Sequence, residues 1–158
     1  MNTITINHPT VQLAVNIPLH RIADLLIGAF EGGSGYWARR IKTSHKASQI
    51  EQERAALGFG DELFPGQPMY PTFSILPLID KPGFYVDVIH DDPDGDEGVD
   101  FKTFRLDRAA IENGLKKFSE LEQGKGGHHF PNFLAENDDE ITADVFLQCC
   151  VLNSIVFG

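Results

Sequence analysis

Gly28-Ala29-Phe30-Glu31-Gly32-Gly33-Ser34-Gly35-Tyr36-Trp37 carries an apolar helix into three close-set glycines and then straight to the chain's only tryptophan. Glycine at that density marks a tight turn or a place where another segment must approach the backbone closely. Upstream, Leu19, Ile22, Leu26 and Phe30 fall on one helical face. Asn16 is placed to cap that helix and Pro18 to occupy its first turn. The spacing predicts a helix over Pro18–Glu31, closed by Gly32 in the left-handed conformation. Tyr36 to Lys42 reads as a strand. The glycines therefore reverse the chain, and the reversal is expected to set Trp37 against the carboxy-terminal part of the core.

A glycine turn can also cradle an anion in successive N–H groups. Phosphate loops, however, run strand, loop, helix, so that a helix N-terminus faces the phosphate. Here the order is helix, loop, strand, and a helix C-terminus repels anions. A cap and turn is the favoured reading over a ligand cradle. Gly32-Gly33-Ser34-Gly35-Tyr36 also lacks the last glycine of a nucleophile elbow.

The 158 residues are read as a single domain spanning 1–158. A hydrophobic content of 42% with 23% charged residues excludes wholesale disorder. The net charge of −10 disfavours direct binding to nucleic acid or to an anionic membrane. Cys149 and Cys150 adjoin in an apolar run, which suggests buried thiols in a reducing cytosol. With neither a leader pattern nor an apolar stretch near ~20 residues, the chain is expected to be soluble and cytoplasmic.

Alternation over Thr3–Ile6 and Val11–Val15 reads as strand. Ser48-Gln49-Ile50-Glu51 opens a second helix that Gly58 would end. Five prolines between Phe59 and Pro82 predict an irregular connection, with an extended piece at Phe73–Leu76. Phe84–His90 and Val99–Leu106 form a hairpin about the turn Asp92-Pro93-Asp94-Gly95-Asp96. Asp107 caps a third helix with Leu106 and Ile111 stapled across it, and Ile111, Leu115, Phe118 and Leu121 supply its buried stripe. A last helix begins near Asn137, with Glu140 at the capping-box position. Val145 to Leu152 is apolar on nearly every side, which makes that helix central. Asp144 and Gln148 lie one turn apart within it and need partners, expected among backbone or Arg groups.

Two stretches carry a resemblance. Glu31-Gly32-Gly33-Ser34-Gly35-Tyr36-Trp37 resembles an EGG-x-x-YW signature. Thr142–Gln148 with Ile155-Val156-Phe157-Gly158 resembles a TADVFLQ…IVYG ending. Together they are similar to small proteins of tailed bacteriophages and prophages that have no assigned activity. The resemblance implies provenance, a phage accessory product acting inside a bacterium, and supplies no catalytic residue. Where that group has Phe-Gly-Glu before its ending, this chain has Leu152-Asn153-Ser154.

The remaining candidates are weighed against plainer roles. The acidic run Asp91, Asp92, Asp94, Asp96 and Glu97 fails as an EF-hand, because the sixth and twelfth positions from Asp92 are Glu97 and Thr103. It reads as a solvated hairpin tip or as an acidic partner surface imitating a nucleic-acid backbone. His90-Asp91 and His128-His129 lack metal-ligand spacing. Arg39, Arg40, Lys42 and Lys46 follow Tyr36 and Trp37 as a basic-aromatic patch. Strand alternation splits that patch between two faces, Arg40 and Lys42 with Tyr36, Arg39 with Trp37.

The expectation is an α+β domain, a small, mostly antiparallel sheet packed against helices at Pro18–Glu31, Arg108–Leu121 and Asp138–Asn153. No catalytic residue, cofactor or metal is assigned. The expected role is binding a bacterial host protein or complex, with a CRISPR or restriction system as candidate target. Glu31, Gly32, Gly33, Ser34, Tyr36, Trp37, Arg39 and Arg40 are the candidate binding residues. The alternatives are a nucleotide-binding or hydrolytic module built on the Gly32–Trp37 turn, and a virion or assembly component.

Overall fold

The computed structural model describes residues 14–44, 83, 85–90 and 102–158, with Arg40 and Thr43 described by backbone alone. The strand expected at Thr3–Ile6, the helix opening at Ser48, the proline-rich connection with its extended piece, and the acidic turn all lie outside these residues. Within them the order is helix α1 (Leu19–Gly28), a π-helical turn (Ala29–Gly33), strand β1 (Ala38–Thr43), strand β2 (Tyr85–His90), strand β3 (Lys102–Asp107) and helices α2 (Arg108–Ser119), α3 (His129–Leu134) and α4 (Glu140–Leu152). This is the expected α+β architecture.

The sheet is antiparallel with β2 between β1 and β3. Val86, Val88 and His90 alternate into the core from β2, as period two requires. The predicted hairpin partners pair directly, Val86 opposite Leu106 and Asp87 opposite Arg105. Arg105 donates to Asp87 at 3.1 Å and lies over the Tyr85 ring, on a surface where such pairs add little stability.

Asp107 caps α2 as predicted, its carboxylate accepting from the Ala110 N–H at 2.8 Å. Leu106 and Ile111 are buried on either side of that cap. Phe118 carries the α2 stripe into an aromatic cluster, with Phe146 at 5.5 Å and Phe130 edge-on at 5.6 Å between ring centroids. Such pairs add about 0.5–1.5 kcal/mol each beyond their buried area. Gly114 lets α2 meet α4: a Cβ there would fall 2.6 Å from the Cys150 Cα.

α4 is the central helix, buried continuously from Thr142 to Cys150. Its core residues cluster with Val86, Val88 and Leu106 of the sheet and with Ile22, Leu25 and Leu26 of α1. The helix cap is Asp139, which accepts from the Thr142 N–H at 2.8 Å, two residues past the expected start at Asn137. The short helix α3 was not expected, because six residues with a central Pro131 carry too little periodicity to signal. Among the described residues, no helix is long and apolar enough to cross a membrane.

Several local expectations are corrected. Pro18, not Asn16, occupies the α1 cap position, and no side chain caps that end. Leu19 is exposed, and the buried stripe is Ile22, Ala23, Leu25 and Leu26. Ala14 and Val15 form no strand. Gly32 is not left-handed: the helix widens instead into a π turn, closed by Ser34 N–H donating to the Ala29 carbonyl at 2.9 Å. β1 begins only at Ala38, so Tyr36 and Trp37 belong to the turn before it.

Candidate functional site

The π turn and the following tight turn aim three consecutive-region side chains at one carboxylate. Asp144 Oδ1 accepts from Ser34 Oγ at 2.6 Å and from Trp37 Nε1 at 2.7 Å. Its Oδ2 accepts from Tyr36 Oη at 2.7 Å and from Gln148 Nε2 at 2.8 Å. Ser34, Trp37, Asp144 and Gln148 are all buried. A buried carboxylate without a cation survives only if its lone pairs are satisfied, and four donors meet that demand here. The partners expected for Asp144 were backbone or Arg groups. They are instead side chains of the glycine segment, more than 100 residues distant in sequence.

The turn hydrogen bonds explain the convergence. Gly35 N–H donates to the Gly32 carbonyl, and Trp37 and Ala38 N–H both donate to the Ser34 carbonyl, at 3.1 and 2.8 Å. Gly33 supplies the close approach, because a Cβ there would collide with the Glu140 carbonyl oxygen at the start of α4. Thus the glycines bring the turn onto α4, and Asp144 receives what the turn presents. Desolvation of the Tyr36 hydroxyl, reinforced by its bond to Asp144, pushes that phenol well above its ordinary range.

Gln148 extends the network to the end of the chain. Its Oε1 accepts from the Val156 and Phe157 N–H groups, each at 2.8 Å. Its Nε2 also donates to the Phe157 carbonyl at 3.0 Å. The Phe157 ring stacks on Trp37 with centroids 5.2 Å apart and planes at 14°. His90 closes the other side, its ring 5.0 Å from Phe157 and its Nδ1–H donating to the Trp37 carbonyl at 2.8 Å.

The structure therefore divides the candidate binding residues. Ser34, Tyr36 and Trp37 share one site, and Gly33 shapes it. Glu31 and Gly32 are exposed beside it. Arg39 is exposed on β1, and the irregularity between Ala38 and Arg40 breaks the simple alternation expected there. Arg40 is placed in β1 by its backbone. Trp37 is 1% exposed with its indole N–H engaged, so it shares no open basic-aromatic surface with Arg39. Asp91, Asp92, Asp94, Asp96 and Glu97 lie outside the described residues. His90, Phe157 and Gln148 were not marked as site residues. Gln148 signals itself as a polar residue in an otherwise apolar helix, His90 only as a histidine weighed for metal, and Phe157 only within the Ile155–Gly158 stretch of the resemblance.

Cys149, Cys150 and His129 are buried away from this network. Burial pushes the Cys149 thiol up to about 11 and the Cys150 thiol well above its usual range, so neither is an activated nucleophile. Among the described residues, no group of three metal-ligating side chains converges. His129 is buried beside Thr142, its Nδ1 sharing a hydrogen bond with Oγ1 at 3.0 Å, with the His128 ring against it. Burial, then His128, lowers its pKa. The unfolded chain thus binds a proton at His129 before the folded chain does, and stability contributed there falls as pH drops below about 6.5. His129→Gln is expected to lose less melting temperature between pH 7 and 5.5 than the wild type. Equal losses in the two proteins would remove His129 from the acid response. Asp139, held below its usual range mainly by the Thr142 N–H and hydroxyl, acts only at lower pH.

A cleft of about 800 Å³ opens beside the network. Leu121, His128, Ile141, Val145, Ile155 and Phe157 are among the residues that line it. Neither models of protein families, nor characterised proteins, nor solved structures match this chain.

Proposed function

We propose that the chain is a phage or prophage accessory protein that acts in the bacterial cytoplasm by binding a host protein or complex, with a defence system as target. The observation supporting binding over catalysis is the saturation of Asp144. Ser34, Tyr36, Trp37 and Gln148 all donate to it, so the polar groups of the glycine segment serve as an internal joint. A general base or nucleophile needs a free lone pair within reach of substrate. The same saturation weighs against a nucleotide seated on Trp37, whose ring lies under Phe157. Provenance rests on the two signature stretches, and the acidic run Asp91–Glu97 is the candidate surface for a basic groove.

The test is affinity capture with tagged full-length protein from lysate of infected bacteria. A specific host complex is expected, and reversing Asp91, Asp92, Asp94 and Asp96 to Lys should cut its recovery at least about ten-fold by removing charge complementarity. Undiminished recovery would refute the acidic surface. Absence of any host protein, with a saturable Trp37 emission change on adding nucleotides, would favour the ligand-binding alternative.

A further inference from the structure

His129 leaves one buried polar atom unanswered. The residue is 7% exposed, its backbone N–H donates to the Gly126 carbonyl, and its Nδ1 shares a hydrogen bond with Thr142 Oγ1. Among the described residues, no hydrogen-bond partner reaches its Nε2. The ring's Cδ2 edge, which leads to Nε2, stands 3.6 Å from the place a Gly126 Cβ would take. His129 and Gly126 both line the cleft of about 800 Å³. A buried ring nitrogen without a partner is costly, and a group arriving through the cleft would offset that cost.

The other lining residues define the chemistry of that group. Leu121, Ile141, Val145, Ile155 and Phe157 make the walls mainly apolar, and the volume lies within the roughly 300–1,000 Å³ of small-molecule sites. No lining charge asks for an ion. Lys117 and Lys125 are balanced by Glu120 and Glu122, the last paired with Lys125 at 2.8 Å. Asp144 repels an anion, and its own lone pairs are already filled. We propose that the cleft binds a small, uncharged, largely apolar alcohol or phenol, its hydroxyl on His129 Nε2 and its hydrocarbon body against Ile141, Val145 and Phe157. A hydroxyl both donates and accepts, so it satisfies either tautomer of the ring. Burial, which lowers the His129 pKa, favours that neutral ring.

The test is titration of the full-length protein with 2-naphthol and with naphthalene, which lacks the hydroxyl. Trp37, the single tryptophan, stacks on Phe157 of the cleft wall, so its emission reports a bound probe. Saturable quenching by 2-naphthol is expected, with naphthalene about five-fold weaker for want of one hydrogen bond. His129→Phe should erase that difference. Ile141 is 64% exposed, so Ile141→Glu spares the core and should weaken both probes at least about ten-fold. Absence of saturable quenching in the wild type, equal affinity for the two probes, or binding untouched by Ile141→Glu would each overturn the proposal. If His129→Phe does not fold, the wild-type Nε2 nitrogen resonance decides: it should move with 2-naphthol and not with naphthalene, and a resonance unmoved by 2-naphthol overturns the site.

Discussion

Asp144→Ala is expected to cost the fold on the order of 4 kcal/mol, about 10 °C in melting temperature for a chain of this size. The substitution strips the acceptor from Ser34 Oγ, Trp37 Nε1 and Gln148 Nε2, all on buried residues. Each buried donor left unmade costs roughly 1–3 kcal/mol. The sum is moderated because the charged carboxylate is itself expensive to bury, and its removal returns that desolvation. Tyr36, at 48% exposure, can turn its hydroxyl to water and adds little. Asp144→Asn keeps the shape but sets an NH2 against donors, so it should recover only part of the loss, leaving about 2 kcal/mol. Thermal unfolding followed by circular dichroism reads both numbers. A loss below about 1 kcal/mol for Asp144→Ala would mean that the network does not hold the turn to α4.

Two adjacent glycines should respond with opposite signs. At Gly33 a Cβ would collide with the Glu140 carbonyl oxygen and stand 3.3 Å from the Gly28 carbonyl oxygen. Both obstacles are backbone, and neither can swing aside as a side chain can. Gly33→Ala is expected to cost about 3 kcal/mol, at the upper end of overpacking penalties. At Gly32 the nearest atoms are the Glu140 carboxylate oxygens at 3.6 Å, an ordinary contact with a flexible side chain. Its φ is not positive. Gly32→Ala therefore narrows the unfolded ensemble without straining the folded one, and should stabilise by about 0.4–1 kcal/mol. Urea unfolding of both variants is the measurement. Equal costs at the two positions would show that the segment needs flexibility in general and not the approach of Gly33 to α4.

Much of the frame was legible in residue order. Alternation marked β2, and Asp107 with its flanking Leu106 and Ile111 announced α2. The unbroken apolar run marked α4 as central, and the tryptophan after the glycines marked a buried indole. These signals are local: periodicity and capping act over a few residues. Less legible was what the glycines were for. A left-handed cap at Gly32 and an approach to Glu140 at Gly33 leave the same letters in sequence. Only the second requires knowing that α4 lies there.

Sequence by itself determined the fold class, helices α1, α2 and α4, strands β2 and β3, and the burial of Trp37 and Cys150, because hydrophobic patterning dictates which faces leave water. It also showed that Asp144 and Gln148 would need partners. Which partners they took was decided by tertiary structure alone. Ser34, Tyr36, Trp37, Val156 and Phe157 reach them from two segments that meet only when α1, the π turn and α4 pack together. A hydrogen bond is fixed by distance and angle in space, and neither is written in the order of residues.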